Sequence, residues 1–487
     1  MKKFIIPLIM LIGIAAFILS FIKVKDTQKV EKENDIVFAV TNIPVDLDKV
    51  TGLSKEDENL ICATSRGLVE KDKDGKVIPS LAKEINLKDN GIEYEFVLND
   101  NMYWSDGSLI TSEDIRDYFK TLIKVEDEEN IKPLLDVYGA DSFKKGKGTF
   151  EKGVAITANE KSITIRLNKK NDNFLLELTK PQYRIRKYLQ LWKNIKNSYK
   201  DIAYSGVYSI KSMDTNKIEL EKNSKEENTL KNITFIKDEN VELSMASYEI
   251  GERDLIFDPP ISQLSRLKED KKLFSYPSSE GIYLSIPTSK TNTSLVNRKE
   301  IYKMIYNATN NFAGDNPETV ESAEGSYFRE DKDNLDKLQS RKVSLNNVGN
   351  VEKPKVITLL GEDTEEIRSY CRYLTDWFKE KENVQFKYSL ESKADIEQSQ
   401  VRDKYDIVLI SCVEDSKNAS KLYNQISFLC NDDEKKYLND TSSAEGKLFD
   451  SYRILPVMFV NDNIAISNKL SNITLDGNGN IEFSSIK

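Results

Sequence analysis

Between Tyr94 and Leu98 the residues Tyr94, Phe96 and Leu98 alternate with Glu95 and Val97. A period of two among β-forming residues predicts a strand with one buried face. Asn99 to Asn101 turns the chain, and Met102-Tyr103-Trp104 opens a second short apolar run. Asp106-Gly107 then supplies a tight turn, because glycine takes positive φ without steric cost. Thr111 stands three residues before Asp114, the spacing of a helix N-cap with an acidic third residue. Ile115, Tyr118, Phe119 and Leu122 follow at helical spacing, so that helix buries one face.

The same reading carries along the chain. Strands are predicted at Asp35–Thr41, within Val154–Leu167, and at Val356–Leu360, Val384–Tyr388 and Tyr405–Ile410. Helical patches cover Asp57–Leu68, Ser244–Gly251 and the run Ile367, Tyr370, Leu374, Trp377. Tyr405–Ile410 is almost continuously apolar, which predicts a strand buried on both faces. Val137–Gly153 reads as a solvated Gly/Lys-rich loop; it lacks the Gly-Lys-Ser/Thr ending that a phosphate-binding loop needs. Gly314–Lys353 is polar with few apolar anchors and is expected to be largely irregular. The alternation of strands and helices gives a mixed α/β fold.

Bulk properties narrow the function. A chain of 487 residues is expected to divide into two or three lobes. Lys plus Arg total 71 against 80 Asp plus Glu, a formal charge of −9, so nucleic acid is not the expected partner. Histidine is absent, which removes His-based acid–base chemistry, Ser-His or Cys-His nucleophile pairs and His metal ligands together. Cys62, Cys371, Cys412 and Cys430 form no C-x-x-C pair, so neither a metal site nor a redox motif is expected. They read as free buried thiols, with a Cys412–Cys430 disulfide as the alternative.

At the N-terminus, Lys2-Lys3 precede an apolar run from Phe4 to Ile22. As a helix its nineteen residues would reach about 28 Å, close to the hydrocarbon thickness of a bilayer. Residues 1–24 are therefore expected to be an uncleaved signal-anchor, or alternatively a signal peptide, followed by a charged spacer at 25–34. Lys23, Lys25 and Lys29 compete with Lys2 and Lys3 for the cytoplasmic side, so charge alone leaves the orientation open.

The order Tyr-x-Phe-x-Leu, Trp-Ser-Asp-Gly, Leu-x-Thr-x-Glu-Asp between Tyr94 and Asp114 resembles the signature of the peptide/nickel class, family five, of extracellular solute-binding proteins. These are the oligopeptide- and dipeptide-binding receptors of ABC importers. Pro79-Ser-Leu-Ala82, Ser205-Gly-Val-Tyr208 and Gly251-Glu-Arg-Asp254 fit the same pattern, and the resemblance implies strands at Ser205–Ile210, Ile218–Asn223, Ile233–Ile236, Gly281–Ile286, Leu455–Val460 and Ile464–Ile466 and helices at Asn173–Leu178 and Arg298–Asn307. Val207, Pro287, Tyr306 and Asn307 depart from it. No lipidated cysteine follows the apolar run, the first being Cys62, so a protein anchor would replace a lipid one.

The resemblance implies a two-lobed periplasmic-binding-protein-like fold of class II, with mixed sheets joined by a hinge and an extra small lobe. Lobe I would comprise 35–60, 200–280 and 461–487, the small lobe 61–199 and lobe II 281–460. It implies export and a non-enzymatic function without cofactor or metal, carried out as a monomer on the extracellular face of the cell membrane. Peptide would be captured between lobes and delivered to ABC permease subunits. An acidic anchor for the peptide α-amino group is implied just after the strand Tyr405–Ile410, where Asp415 is the matching residue and Glu414 its neighbour. Asp415 reads equally as a solvated acid. Tyr283, Tyr208 and Tyr183 hold positions of cleft aromatics, and core packing explains each as well. A transport-incompetent sensor or scaffold on the same fold is the alternative function.

Overall fold

A computed structural model of the chain describes residues 35–223, 232–287, 294–333, 335–346, 352–438, 441–470 and 473–486. The signal-anchor expected at 1–24 and the spacer at 25–34 lie outside the described residues. Among the described residues no helix is long and apolar enough to cross a membrane. They form two compact units, one within residues 1–260 and 465–487, the other within residues 261–464. Residues 61–199 lie within the first of these units.

In the first unit, five strands lie in the order Leu255–Phe257, Ile36–Val40, Ile233–Lys237, Lys217–Lys222, Tyr208–Met213. Ile36–Val40 runs parallel to both of its neighbours, and the remaining pairs are antiparallel. A separate antiparallel sheet orders Ala82–Lys88, Glu93–Leu98, Ser162–Arg166, Ile156–Asn159. In Glu93–Leu98 the burial alternates residue by residue, with Tyr94, Phe96 and Leu98 inside.

The helix Ser112–Val125 starts in a capping box: Thr111 accepts from the Asp114 N–H, and Asp114 accepts from the Thr111 N–H. Trp104 is fully buried, and its indole N–H donates to Asp114 Oδ2 at 3.1 Å. Gly107, at φ +87°, closes the turn by donating to the Trp104 carbonyl at 2.9 Å. Ser105 exchanges hydrogen bonds with the backbone of Tyr204. Trp-Ser-Asp-Gly is thus scaffold, tying the hairpin to the Ser205-Gly206 corner. At that corner Gly206 donates to the Thr64 carbonyl at 2.9 Å. A Cβ on Gly206 would lie 2.3 Å from the Thr64 carbonyl carbon, so only glycine permits this approach.

In the second unit, the strands order Gln385–Glu391, Val356–Glu362, Ile407–Val413, Leu273–Ser285, Ile454–Ile466. The first three are mutually parallel, and Leu273–Ser285 is antiparallel to Ile407–Val413. The last strand is continuous through the two stretches expected separately, and its final residues, Ala465 and Ile466, belong to the first unit. The helices Leu295–Asp315 and Glu365–Trp377 contribute Ile301, Tyr302, Phe312, Ile367, Tyr370 and Leu374 to the core. Burying each large apolar side chain contributes about 1.5–3 kcal/mol.

Two expectations of irregular backbone are corrected. Val137–Gly153 contains short helices at Ala140–Lys144 and Phe150–Gly153, joined by an edge-on contact of Phe143 with Phe150 at 5.3 Å. Gly314–Lys353 holds a strand at Val320–Ser322 and a helix at Leu335–Asn346. In both places a few buried anchors, such as Phe150 and Leu345, outweigh weak local propensity. All four cysteines are free and buried, which settles the disulfide alternative against a bridge.

Candidate functional site

The strand Ile407–Val413 is buried along nearly its whole length, and the chain emerges from it at Glu414-Asp415. Ligands of open α/β sheets gather outside the carboxyl ends of parallel strands, and this is such an end. The Glu414 N–H donates to the Ser279 carbonyl at 2.8 Å, which extends the pairing in which Glu280 faces Val413. Glu414 is only 9% exposed, and its carboxylate accepts from the Arg329 N–H at 3.3 Å. Burial pushes the Glu414 carboxyl up to about 7; the Arg329 N–H and guanidinium oppose that rise without cancelling it. Asp415 is half-buried, and its carbonyl accepts from the Asn418 N–H at 3.0 Å. The adjoining Ser416 hydroxyl donates to Glu330 at 2.5 Å.

More acids lie around this strand end. Ser411 donates through its hydroxyl to Glu280 and through its N–H to Glu362 at 2.9 Å. Burial raises the Glu280 carboxyl, and the nearby Glu366 and Glu362 add to the effect. The Lys393 ammonium donates to the Ser411 carbonyl at 2.5 Å.

The turn that begins at Arg329 joins Glu414 to a cavity of about 710 Å³ within the second unit. The Arg329 guanidinium donates to Glu321 at 3.0 Å, Asn461 at 2.9 Å and the Val460 carbonyl at 2.5 Å, and lies over the Phe459 ring. Lys332 also binds Glu321, so one carboxylate holds two cations in the cavity wall.

Of the four residues expected at a ligand site, Glu414, Asp415 and Tyr283 lie in the second unit and Tyr208 in the first. Tyr283 is fully buried, its hydroxyl donating to the Tyr327 carbonyl at 2.7 Å and its ring lying over Gly281. Burial, aided by the Glu414 charge, pushes its phenol well above the ordinary value. Tyr208 is also fully buried and meets Phe483 edge-on at 6.1 Å. Tyr183, in the first unit, is buried too, its hydroxyl donating to the Asn130 carbonyl at 3.4 Å. Sequence reasoning passes over Arg329, Glu280 and Glu362. The cluster Phe328-Arg-Glu-Asp331 in an otherwise featureless stretch is the one available signal.

The architecture, a mixed α/β chain in two units, is that of periplasmic binding proteins. The Escherichia coli murein tripeptide binding protein MppA superposes with a TM-score of 0.61 at 18% identity, over 93% of this chain and 97% of that one. At such identity the likeness speaks to fold alone. A family model, bacterial extracellular solute-binding proteins, family 5, middle, matches residues 76–433. The chain therefore belongs to the family 5 extracellular solute-binding proteins, a family of binding proteins and not of enzymes. Among curated relatives, the oligopeptide-binding protein OppA of Bacillus subtilis (strain 168) is 25% identical over 240 residues, 46% of this chain and 43% of OppA. The dipeptide-binding protein of Lactococcus lactis subsp. cremoris is 23% identical over 156 residues, 32% of this chain and 28% of its own length. The chain thus spans less than half the length of these relatives in alignment.

Proposed function

We propose that this protein captures peptides outside the cytoplasmic membrane and delivers them to an ABC permease. In this reading residues 1–24 tether it to the membrane, and the acids at Glu414 and Asp415 receive the ligand's α-ammonium group. The single observation that carries the reading is the family match across residues 76–433, which includes that strand end. The geometry suits this role, because an ammonium arriving beside a buried carboxylate stabilises its charged form and restores part of what desolvation cost. Peptide backbone is bound by main-chain groups and side chains by wet pockets, which tolerates many sequences. Tyr283 and Tyr208 would act indirectly, each by shaping the core of its own unit.

The test is mass spectrometry of ligands carried through purification of the chain, with thermal shift against peptide pools. Asp415→Ala is expected to weaken peptide binding at least tenfold. If no peptide is bound by the wild type, and Asp415→Ala changes nothing, peptide capture is refuted. The departures at Val207, Pro287, Tyr306 and Asn307 favour a second reading, peptide sensing without transport. Uptake of labelled peptide by cells with and without the gene separates the two.

A further inference from the structure

A second, smaller cavity of about 220 Å³ lies within the second unit. It sits at the start of the strand Ile407–Val413, away from the end that carries Glu414. Ser285 lines it and pairs with Val408, whereas Glu280 pairs with Val413. Five residues of strand, roughly 17 Å, separate the two places.

Contacts between distant parts of the chain draw the wall together. The Ile286 N–H donates to the Arg453 carbonyl at 2.7 Å, which sets Ser285 beside Arg453. The Arg453 guanidinium donates to Glu434 at 2.9 Å, and Glu434 accepts in turn from the Asn431 N–H at 2.9 Å. The Arg402 guanidinium donates to the Phe428 carbonyl at 3.1 Å and lies 5.6 Å from the Phe428 ring centre. Ser285, Arg402, Phe428, Asn431 and Arg453 all line the one cavity.

Three groups in this wall are short of partners. Ser285 is 2% exposed, yet its hydroxyl makes no hydrogen bond with a described residue. Arg453 is 8% exposed, and its buried Nε–H has no acceptor. Arg402 donates only to carbonyls, those of Phe428 and Glu397, and pairs with no carboxylate among the described residues. Buried donors without acceptors are destabilising, so the wall calls for an acceptor that the protein does not supply. Positive charge is also in excess. Arg298 adds to it, its guanidinium held below the ordinary value by burial and then by repulsion from Arg453. Opposing these are Glu434, bonded to Arg453, and Asp403, which is exposed and screened by water.

We propose that this cavity binds a small tetrahedral oxyanion, for which inorganic phosphate is the probe. Arg402 and Arg453 donate to its oxygens, and Ser285 donates through its hydroxyl. Guanidinium groups are planar forks of N–H donors suited to oxyanions. A tetrahedral anion presents oxygens in several directions and can accept from two arginines on different segments and from a hydroxyl. A carboxylate has two oxygens in one plane and would leave a donor unmet. The volume equals about seven waters at roughly 30 Å³ each, room for such an ion with part of its hydration. It falls below the roughly 300–1,000 Å³ of sites for larger ligands. Neither Glu414 nor Asp415 contributes to it.

Calorimetric titration of the full chain with sodium phosphate in Tris buffer tests the assignment, with sodium acetate and sodium chloride at equal ionic strength alongside. Phosphate is expected to saturate one site per chain, acetate to bind at least tenfold more weakly and chloride to give no binding heat. Arg402→Gln should weaken phosphate at least tenfold. Ser285→Ala removes a hydroxyl that bonds to no described residue, so it should weaken phosphate several-fold and keep the urea midpoint of the wild type. Circular dichroism checks that both variants fold, and Ser285→Ala carries the test if Arg402→Gln does not. Peptide binding should be the same in Arg402→Gln as in the wild type, so the two readings fail separately. The proposal is overturned if phosphate saturates no site on the wild type, if a folded variant binds it as the wild type does, or if acetate or chloride binds as tightly.

Discussion

Glu414→Gln should flatten the pH dependence of stability, because it replaces a carboxyl that burial has pushed up to about 7 from an ordinary 4.5. Glutamine resembles the protonated acid in shape and still offers an oxygen to the Arg329 N–H. Between these two values the unfolded chain has released the Glu414 proton and the folded chain retains it. The unfolded state then binds fewer protons, so stability falls as pH rises. The neutral carboxyl's contribution is fully present below 4.5 and lost as pH passes through about 7. At about 1.36 kcal/mol per pH unit the whole interval corresponds to about 3 kcal/mol. Partial access of water to the carboxylate screens it, and about 1–2 kcal/mol is the working expectation.

Urea unfolding of wild type and Glu414→Gln, followed by circular dichroism from pH 5 to 8, measures the difference. The variant should gain about 1–2 kcal/mol on the wild type across that range. A constant offset between the two curves would refute the reasoning, since other titrating groups are common to both proteins. Added peptide that places an ammonium beside Glu414 should shrink the effect, because it favours the charged form in the folded state.

Two further substitutions test the packing inside each unit. Gly206→Ala would bring a Cβ to 2.3 Å from the Thr64 backbone, which no side-chain movement can relieve. Overpacking of this kind costs about 1–3 kcal/mol, to be read as a lowered urea midpoint. Arg453→Met removes the partner of Glu434, a pair bonded at 2.9 Å and buried on both sides. Leaving that buried carboxylate without its cation is expected to cost about 3–5 kcal/mol, and Glu434→Gln added to it should restore part of the loss. A double-mutant cycle showing no coupling would mean that the pair is not formed in solution.

The local pattern by itself determined the elements and, through them, the family. Period-two alternation at Tyr94–Leu98 and the Thr111–Asp114 cap are short-range signals and sit where their residues predicted, while the strand expected at Tyr405–Ile410 runs over Ile407–Val413. Trp104 and Gly107 read as turn-shaping residues and hold that place, since turn chemistry is decided within a few residues. What tertiary structure alone decided is the company each charge keeps. Arg329 and Glu414 are 85 residues apart, and nothing near either one announces the other. Tyr283 and Tyr208 show the limit from the other side, for their positions in the pattern say nothing of their complete burial. Propensity and capping act over a few residues, whereas burial and desolvation belong to the assembled core. The chemistry of a carboxyl or phenol follows from the core.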